Sequence, residues 1–513
     1  MKWLTADVLI AGSGFGGSLL AWILAKHHMG VVMFDPRVHP RFAIGESSTP
    51  IADMILADLA KRYRLTELAP LAQYGTWCLA YPQLRRGRKR GFSYFGHNPD
   101  SLFHRPQPGC NELLVAASSD DFACDTHWYR ADVDAFLVQQ AIAAGAICLA
   151  PVHTARAEYQ TGRWHLELHG ESEAWGVAAP FLVDASGGPF GQRWLDAGSA
   201  TETLNTWSEA IYTHLQNVPT WQSYLETAGY DCHHHPYDCD AAALHHVFPG
   251  GWMWQLRFDC GTVSVGVVLS RPWADCDSPQ QQIERFLQRY PSLQQQLRTT
   301  RLAAVPGCWI RSGRLQRRAA RAVGCGWVAL PHAYGFIDPL HSTGIAHTLS
   351  GVERLARILI SQRDVPPEAE ALQHYAAQLQ QEIQLIDRLV NVAYRNSGQF
   401  SRFVLAAMLY FTATVWYETR RRQGHRDDAF LCANDLHLQG ALQEAYRLLQ
   451  ESQAPCDCFP YHSKQTVPIP DPQEDSGDES RLEQTIRAIV APFNVAGLFN
   501  PATRNMYRHT ATR

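Results

Sequence analysis

Residues 7–18 read Asp-Val-Leu-Ile-Ala-Gly-Ser-Gly-Phe-Gly-Gly-Ser. The apolar run to Ala11 predicts a buried strand, the glycines predict a tight turn, and the Leu, Ala and Ile spacing up to Ala25 predicts a helix. A second short apolar run, Val31–Phe34, ends at Asp35. Strand, helix and strand together span roughly 30 residues, the length of a βαβ unit. The N-terminus is therefore expected to open the parallel sheet of a Rossmann-type α/β fold.

The turn has the Gly-x-Gly-x-x-Gly pattern of a dinucleotide site. Gly12 permits the turn, Gly14 lets the backbone approach a pyrophosphate, and Gly17 lets helix and strand pack closely. Asp35, at the end of the second strand, is expected to bind ribose hydroxyls. The alternative is a glycine-rich turn without a ligand, and a nicotinamide dinucleotide would use the same pattern.

Two distant segments favour FAD as the cofactor. Residues 181–187, Phe-Leu-Val-Asp-Ala-Ser-Gly, resemble the late strand and the Asp-x-x-Gly turn of the glutathione-reductase-like FAD fold. This resemblance assigns Asp184 and Gly187 to the cofactor site. Residues 335–344 resemble the segment that brings an aspartate, here Asp338, to the ribityl chain.

The same segment is expected to bring backbone amides to the isoalloxazine. Ser342, Thr343 and Gly344 begin a predicted helix, so their free amides are suited to a flavin carbonyl or a small anion. A plain loop-to-helix connection is the alternative interpretation. The fold class predicted is α/β: a glutathione-reductase-like FAD-binding Rossmann domain with an inserted β-sheet substrate domain and a helical C-terminal region.

The pattern along the chain predicts where these regions lie. Residues 1–200 and 300–360 are assigned to a discontinuous FAD-binding domain, 201–299 to the β-rich substrate domain and 361–513 to the mostly helical region. Strand-like runs at 246–256 and 262–269 predict the second sheet. A proline- and acid-rich stretch near 463–480 predicts a flexible linker.

Composition excludes several classes of function. The 513 residues include 45 Lys and Arg against 49 Asp and Glu, and a net charge of −4 gives no strong field for nucleic acid or an anionic membrane surface. The most apolar stretch is shorter than the roughly 20 residues that span a membrane. The 13 Cys form no CxxC pair, which predicts free thiols in a reducing cytoplasm.

Further motifs resemble a known family. Residues 45–50 read Gly-Glu-Ser-Ser-Thr-Pro, and residues 251–258 read Gly-Trp-Met-Trp-Gln-Leu-Arg-Phe. With the glycine pattern and the 338–344 segment, they resemble the flavin-dependent halogenases of the tryptophan-halogenase type. The resemblance assigns Glu46 and Ser47 to the cofactor site, and Trp252 and Trp254 match the tryptophans of a WxWxIP motif. One face of a core strand is the alternative for these tryptophans.

The resemblance implies a reaction and its partners. Reduced FAD, delivered by a separate flavin reductase, would convert a halide ion into hypohalous acid with oxygen. The acid would travel to a second cavity, where a lysine presents the halogen, as a haloamine or by hydrogen bonding. The acceptor would be an aromatic or other electron-rich small molecule, free or tethered to a carrier protein.

Residues 89–96 resemble the family segment that carries this lysine, with Lys89 two residues before a glycine and an aromatic strand after it, so the resemblance makes Lys89 the candidate. It also belongs to a basic run, so a solvated loop is the alternative. His341 stands where some family members carry a glutamate; it is expected to hydrogen-bond the substrate or relay protons, or to be structural. The apolar and aromatic stretch 403–416 is a candidate lining for a substrate cavity, or simply core.

Two rival functions stay open. Leu256 and Arg257 replace the Ile-Pro pair of the motif, which favours an FAD-dependent monooxygenase or oxidase. The third hypothesis is a non-catalytic flavin-fold binding protein. The cluster His233-His234-His235 between Cys232 and Cys239 contains zinc-ligand residue types, but half of a four-ligand site is missing. A surface loop without metal is therefore predicted.

Overall fold

The βαβ unit predicted at the N-terminus is present in the computed structural model, which describes residues 1–273, 277–361, 368–451 and 476–508. The α/β fold with a helical C-terminal region is confirmed. The helices are Phe15–Lys26 (α1), Pro50–Tyr63 (α2), Tyr74–Ala80 (α3), Arg130–Ala143 (α4), Pro189–Trp194 (α5), Trp221–Thr227 (α6), Pro279–Gln288 (α7), Pro291–Leu297 (α8), Pro331–Tyr334 (α9), Thr343–Ser361 (α10), Ala369–Asn396 (α11), Phe400–Arg422 (α12), Leu436–Glu451 (α13) and Ser476–Val490 (α14).

The strands are Lys2–Thr5 (β1), Val8–Ala11 (β2), Val31–Phe34 (β3), Arg86–Lys89 (β4), Gly91–Gly96 (β5), Glu112–Ala116 (β6), Asp125–Trp128 (β7), Ile147–Leu149 (β8), His153–Gln160 (β9), Arg163–His169 (β10), Ala174–Ala179 (β11), Phe181–Asp184 (β12), Glu209–Gln216 (β13), Ala243–Phe248 (β14), Gly251–Arg257 (β15), Thr262–Leu269 (β16), Arg301–Leu302 (β17), Ile310–Arg314 (β18), Arg317–Arg318 (β19), Val323–Gly324 (β20), Trp327–Ala329 (β21), Gly335–Phe336 (β22) and Met506–Tyr507 (β23).

A six-stranded sheet in the order β20-β21-β12-β2-β3-β8 forms the Rossmann core. Strands β21, β12, β2, β3 and β8 run parallel. Every residue of β2, β3 and β12 is buried, as expected for parallel strands covered on both faces. The carboxyl ends of β2 and β12 adjoin the glycine turn, which is where α/β sheets bind ligands.

A nine-stranded sheet contains β13 to β18 and also β5, β6 and β23. The two faces of this sheet pack against different hydrophobic cores, because successive side chains of a strand point to opposite sides. Trp252 and Trp254 face the main core with α12, whereas Met253 and Phe95 belong to a separate core beneath α7 and α8. Strands β5 and β6 lie within 1–200, so this sheet also draws on the range predicted for the FAD-binding domain.

Two sequence expectations differ in detail from the structure. The run 246–256 is not one strand: a turn at residues 249–250 separates β14 from β15, and Gly250 has φ +76°. A proline without an amide hydrogen followed by a left-handed glycine favours this hairpin turn. The linker predicted near 463–480 lies mainly outside the described residues, which resume with α14. Among the described helices none is long and apolar enough to cross a membrane.

Candidate active site

The glycine turn is shaped by close backbone contacts. Gly12 has φ +103°, and a Cβ there would lie 2.6 Å from the Ala185 carbonyl oxygen. A Cβ on Gly17 would lie 2.2 Å from the Gly12 carbonyl oxygen. Helix α1 begins after Gly14 with no side-chain cap and no acidic residue in its first turn. Its first amides are therefore suited to an anion such as a pyrophosphate.

Asp35 lies beside this turn. Its carboxylate accepts hydrogen bonds from the Ser13 amide (2.8 Å) and the Ser13 hydroxyl (3.0 Å), and it forms a salt bridge with Arg41. Burial raises the pKa of Asp35, but the bonds from Arg41 and Ser13 outweigh it and lower the pKa below its ordinary value. The carboxylate is thus ionised next to the predicted ribose position.

Arg130 brings a second positive charge to the turn. Its guanidinium donates to the carbonyls of Ile44 (2.9 Å) and Gly45 (3.0 Å), bonds to Asp134 and lies 4.7 Å from the ring centre of Phe15. Sequence reasoning missed both Arg130 and Arg41. Only their positions in the chain could have indicated them: Arg41 lies six residues after Asp35, and Arg130 is the first residue of α4.

Strand β12 ends at Asp184, so Asp184 and Gly187 lie at the same edge of the sheet as the glycine turn after β2. The Ser186 amide donates to Asp184 Oδ1 (2.9 Å), and Gly187 has φ +80°. Burial raises the pKa of the Asp184 carboxyl. The Ala185 amide donates to the Ala11 carbonyl (2.8 Å), so this turn and the glycine turn lie side by side.

A buried network joins Asp338 to the tryptophan motif. Trp252 Nε1 donates to the Tyr394 hydroxyl (2.8 Å), which donates to Asp338 Oδ2 (2.9 Å). The Ser208 hydroxyl donates to the same oxygen at 2.6 Å. Burial raises the pKa of Asp338 to about 6. Trp254 instead donates to the Ser264 hydroxyl (3.0 Å).

The two departures from the WxWxIP motif do not share one face. Leu256 is buried in the main core with the tryptophans. Arg257 points to the opposite side, where its guanidinium donates to Asp240 (2.6 Å) and to the Val218 carbonyl (2.8 Å). Arg257 is therefore an anchor of the 218–240 loop, away from the tryptophan face.

Lys89 is fully buried at the end of β4. Its Nζ donates to the Ser48 carbonyl and lies 4.0 Å from the ring centre of Phe92. The neighbouring arginines of the basic run pair with carboxylates instead, Arg85 with Asp132 and Arg90 with Asp121. The solvated-loop alternative for Lys89 therefore does not hold.

Residues 46–48 form the wall next to this lysine. Glu46 Oε1 lies 2.9 Å from His214 Nε2, with both side chains buried. Ser47 forms an isolated bridge with His127 of β7, and the Trp128 amide donates to the Glu46 carbonyl (2.6 Å). The predicted cofactor residues Glu46 and Ser47 and the candidate lysine thus belong to one continuous ribbon.

His341 and α12 complete the site. The imidazole stacks on Tyr410 of α12 with centroids 4.3 Å apart and an interplanar angle of 7°. Tyr410 lies 6.2 Å from Phe92, the ring under Lys89. Burial lowers the pKa of His341 to about 3, so the ring is neutral. Ser342, with φ +53°, leads into α10 at Thr343 and Gly344, and the first turn of α10 has no acidic residue.

Several buried polar atoms around Lys89 lack a hydrogen-bond partner among the described residues. They share one region, the wall formed by 47–49, β5, β7 and His341. They are Ser47 Oγ, Thr49 Oγ1, Tyr94 Oη, His127 Nδ1 and both ring nitrogens of His341. Buried polar atoms are normally satisfied, so this concentration fits a site completed by polar ligands such as a flavin ring, a halide and a substrate.

Two residues of the histidine cluster, His234 and His235, belong to a buried salt-bridge network around Glu112. His234 Nε2 and His235 Nε2 lie 2.7 and 3.1 Å from the Glu112 carboxylate. Arg105 donates to both Glu112 oxygens at 3.0 and 3.2 Å. A metal ion would have to displace this guanidinium, which already supplies the positive charge. His233 alone of the three is exposed.

A family model described as tryptophan halogenase matches residues 117–402, more than half of the chain. The chain belongs to the tryptophan halogenase family. This family member is 30% identical over 443 residues to monodechloroaminopyrrolnitrin halogenase PrnC of Pseudomonas fluorescens, covering 82% of the chain and 73% of that relative. It is 28% identical over 423 residues to tetracycline 7-halogenase of Kitasatospora aureofaciens, covering 80% and 73%.

Solved structures agree on the fold. The crystal structure of halogenase PltM has a TM-score of 0.83 at 22% identity, covering 97% of this halogenase-family chain and 99% of that one. PltM in complex with phloroglucinol and FAD has a TM-score of 0.81 at 21% identity, covering 99% and 100%. The predicted family and cofactor are confirmed: the enzyme is a flavin-dependent halogenase that uses reduced FAD, oxygen and halide. The monooxygenase and binding-protein alternatives are not favoured.

Proposed function

We propose that this halogenase transfers halogen to an aromatic small molecule held among the rings of β5, β14 and α12, and that Lys89 presents the halogen. The observation that carries the proposal is the complete burial of the Lys89 side chain beside Phe92, whose ring centre lies 6.2 Å from that of Tyr410, the ring on which His341 stacks. Lysine is costly to bury, and burial against apolar rings is a typical setting for a reactive lysine.

The residues at the sheet edge are assigned to FAD. Gly12, Gly14 and Gly17 would hold the pyrophosphate with help from Arg130, and Asp35 would bind the ribose. Asp184, Gly187 and Asp338 would line the remainder of the cofactor, with Glu46, Ser47 and Trp252 and Trp254 close to its ring end. When bound in reduced form, FAD would give two electrons to oxygen, and oxygen at the resulting peroxide level would oxidise a halide to hypohalous acid, with water as the second product.

The start of α10 is assigned to small anions. Ser342, Thr343 and Gly344 precede or open a helix whose first amides have no acidic neighbour in the turn, so a halide ion is expected there. Because the sequence has no dedicated nicotinamide motif, we expect reduced FAD to come from a separate flavin reductase.

The substrate is assigned to the space bounded by Tyr94, His245 and α12. Tyr94 stacks on His245 at 4.6 Å and contacts Phe403 at 5.4 Å, so flat rings already surround this region. A neutral His341 offers one hydrogen-bond donor and one acceptor to a substrate hydroxyl or N–H group. PltM has been crystallised with phloroglucinol, and the two relatives are named for monodechloroaminopyrrolnitrin and tetracycline. We expect an aromatic substrate here, either free or carrier-bound.

The test is halogenation by the purified protein supplied with FAD, a flavin reductase, NADH, oxygen and bromide or chloride. A panel of phenols, pyrroles and indoles, each free and as a carrier-protein thioester where an acid is available, is analysed by mass spectrometry. Lys89→Met is expected to abolish halogenated product while hypohalous acid still forms. Arg88→Met, next in the chain and exposed, is the matched control and is expected to keep full activity.

Two results would contradict the proposal. Product formation by Lys89→Met at the wild-type rate would remove the lysine from the mechanism. Incorporation of labelled oxygen into the product, with no halogen transfer across the panel, would move the enzyme to the monooxygenases.

A further inference from the structure

Lys89 lies directly opposite an acidic residue. Strands β4 and β7 are antiparallel, and Lys89 is in register with Asp125. Directly opposed residues of an antiparallel pair project from the same face with Cβ atoms about 5 Å apart. On the far side of β7, the Ser48 amide donates to the Thr126 carbonyl at 3.1 Å. The Lys89 side chain reaches the Ser48 carbonyl, so it crosses β7 at the position of Asp125.

Both side chains are completely buried. A buried ammonium or carboxylate is strongly unfavourable unless an opposite charge balances it. The charge of Asp125 is also felt across the site: burial first, then the carboxylates of Glu418 and Asp125, raise the pKa of Tyr410. Lys89 in turn adds to the burial that lowers the pKa of His127 and of His245 to about 3.

We propose that Asp125 is the positioning residue of Lys89: its carboxylate keeps the buried lysine an ammonium, so that Lys89 acts as a hydrogen-bond donor and acid toward hypohalous acid rather than as a haloamine. This inference rests on the proposed role of Lys89. It assigns one of the two modes of lysine chemistry to this chain on the basis of the charge opposite the lysine.

The step balances without a further reagent. The Lys89 ammonium donates to the oxygen of hypohalous acid, and a carbon of the aromatic ring attacks the halogen. The carbon–halogen bond forms as the halogen–oxygen bond breaks, and its electron pair goes to the oxygen, which takes the Lys89 proton and leaves as water. The proton released from the ring carbon returns to the lysine, whose ammonium Asp125 stabilises again.

The titratable groups around Lys89 and Asp125 come from β5, β7, β14, α2, α12 and the loop before α10; they are Tyr94, Cys124, His127, His245, Asp53, Tyr410 and His341. The pKa of each histidine is lowered to about 3, that of Cys124 is raised to about 12, and those of both tyrosines are raised, all chiefly by burial. None of these histidine, cysteine and tyrosine side chains changes charge between pH 6 and 9. Asp338, whose pKa burial raises to about 6, titrates at the acidic end of the tested pH range in wild type and variants alike, so expressing product as a ratio to wild type removes its effect.

The experiment compares wild type, Asp125→Asn and Asp125→Glu in the reductase-coupled assay from pH 6 to 9. Hypohalous acid released without substrate is measured for each protein, and halogenated product is expressed as a ratio to wild type at the same pH. Asp121→Asn is the matched control, because this carboxylate pairs with Arg88 and Arg90 at the exposed end of the same ribbon.

Without the carboxylate, burial disfavours the ammonium and the pKa of Lys89 falls. We expect Asp125→Asn to match wild type in hypohalous acid release and to lose about tenfold in the product ratio for each pH unit above the lowered pKa, with recovery at pH 6. Asp125→Glu should follow the wild-type profile, and Asp121→Asn should change neither quantity. A merely structural defect would not be reversed by acid.

A second readout does not depend on activity. The melting midpoint of Asp125→Asn relative to wild type should fall as the pH is lowered from 10, because the unfolded chain then protonates Lys89 more readily than the folded one. In Lys89→Met/Asp125→Asn this pH dependence should disappear.

Three results would overturn the inference. The first is a pH-independent product ratio for Asp125→Asn, and the second is a pH-dependent loss caused instead by Asp53→Asn, which removes the carboxylate that accepts a hydrogen bond from the Ser48 hydroxyl. The third is a halogen found on the Lys89 peptide of the wild-type enzyme during turnover. If Asp125→Asn does not fold, the inference is still tested by two measurements. A pH profile of Asp125→Glu that departs from wild type, or a halogenated Lys89 peptide, would contradict it. Wild-type protein that makes neither hypohalous acid nor product would instead refute the proposed function itself.

Discussion

We predict that His341→Phe makes the ligand-free protein more stable and the enzyme less active. The imidazole is buried and stacks on Tyr410, and neither ring nitrogen makes a hydrogen bond of normal length and angle among the described residues, although the Leu389 backbone is close enough to favour its protonated form. Phenylalanine retains a flat ring for the stack and removes both unsatisfied atoms. The ligand-free protein should therefore become more stable, whereas a substrate hydroxyl would lose its partner.

The magnitude follows from the two orphaned atoms. Leaving a buried donor or acceptor unpaired costs about 1–3 kcal/mol, and the slightly larger phenyl ring offsets part of the gain. We expect a net stabilisation of about 1–3 kcal/mol at pH 8. Loss of one substrate hydrogen bond, about 1.4 kcal/mol, corresponds to a tenfold lower kcat/KM.

The pH dependence of the free energy of unfolding independently tests whether His341→Phe is stabilising. The pKa of His341 is about 3 when folded and about 6.5 when unfolded, so the unfolded state binds the proton first and wild-type stability falls as the pH decreases below 6.5. Phenylalanine binds no proton. The stability advantage of His341→Phe should therefore grow by about 1.4 kcal/mol for each pH unit between 6.5 and 3.

The assay is urea unfolding of the FAD-free protein at pH 8, 6.5 and 5.5, together with product formation by the FAD-loaded enzyme. His245→Phe is the matched control. It is an equally buried ring stacked on Tyr94, but its Nδ1 is 2.9 Å from the Ala243 carbonyl, so this variant loses a hydrogen bond and should be less stable. Destabilisation of His341→Phe at pH 8, or wild-type kcat/KM, would refute the reasoning.

Three further predictions concern the cofactor and the histidine cluster. Gly12→Ala should weaken FAD binding at least about tenfold by fluorescence titration, since its Cβ meets Ala185 at φ +103°, whereas Gly229→Ala, at φ +86° with nothing within 4 Å, should not. Arg130→Gln should also weaken FAD binding, with a smaller dependence on salt concentration than wild type; an unchanged dissociation constant would remove Arg130 from the site. Added zinc should leave the melting midpoint of the protein unchanged, because Arg105 already neutralises the Glu112 carboxylate beside His234 and His235. A melting midpoint that rises with zinc concentration and then saturates would contradict this prediction.

The glycine turn and the strands that flank it could be predicted from the sequence alone. Gly12 and Gly17 are demanded by contacts within one βαβ unit, so their spacing alone identifies the turn. Such features depend on neighbours in the chain, which a single sequence displays.

The catalytic half depends on contacts that a single sequence does not display. Lys89 is in a run of arginines that predicts a solvated loop, and only the pairing of β4 with β7 and the 46–48 segment buries it. Asp125 and Arg130 were not identified because nothing local distinguishes a buried charge from an exposed one. For Arg257 the sequence motif was misleading. The residue occupies a motif position next to the tryptophans, but its side chain points to the opposite face of β15, because side chains alternate along a strand.

Residue choice at position 89 supports a chemical role over a structural one. The chain is rich in arginine, and the other described lysines, Lys2, Lys26 and Lys61, are exposed. A purely structural buried cation is better served by arginine, which is less strongly hydrated, keeps its charge and makes several hydrogen bonds. Lysine gives up a proton far more readily when buried, and that property is needed only if the proton moves during the reaction. A lysine opposite Asp125 is therefore the arrangement expected of an acid that must be both charged at rest and able to transfer its proton to a leaving oxygen.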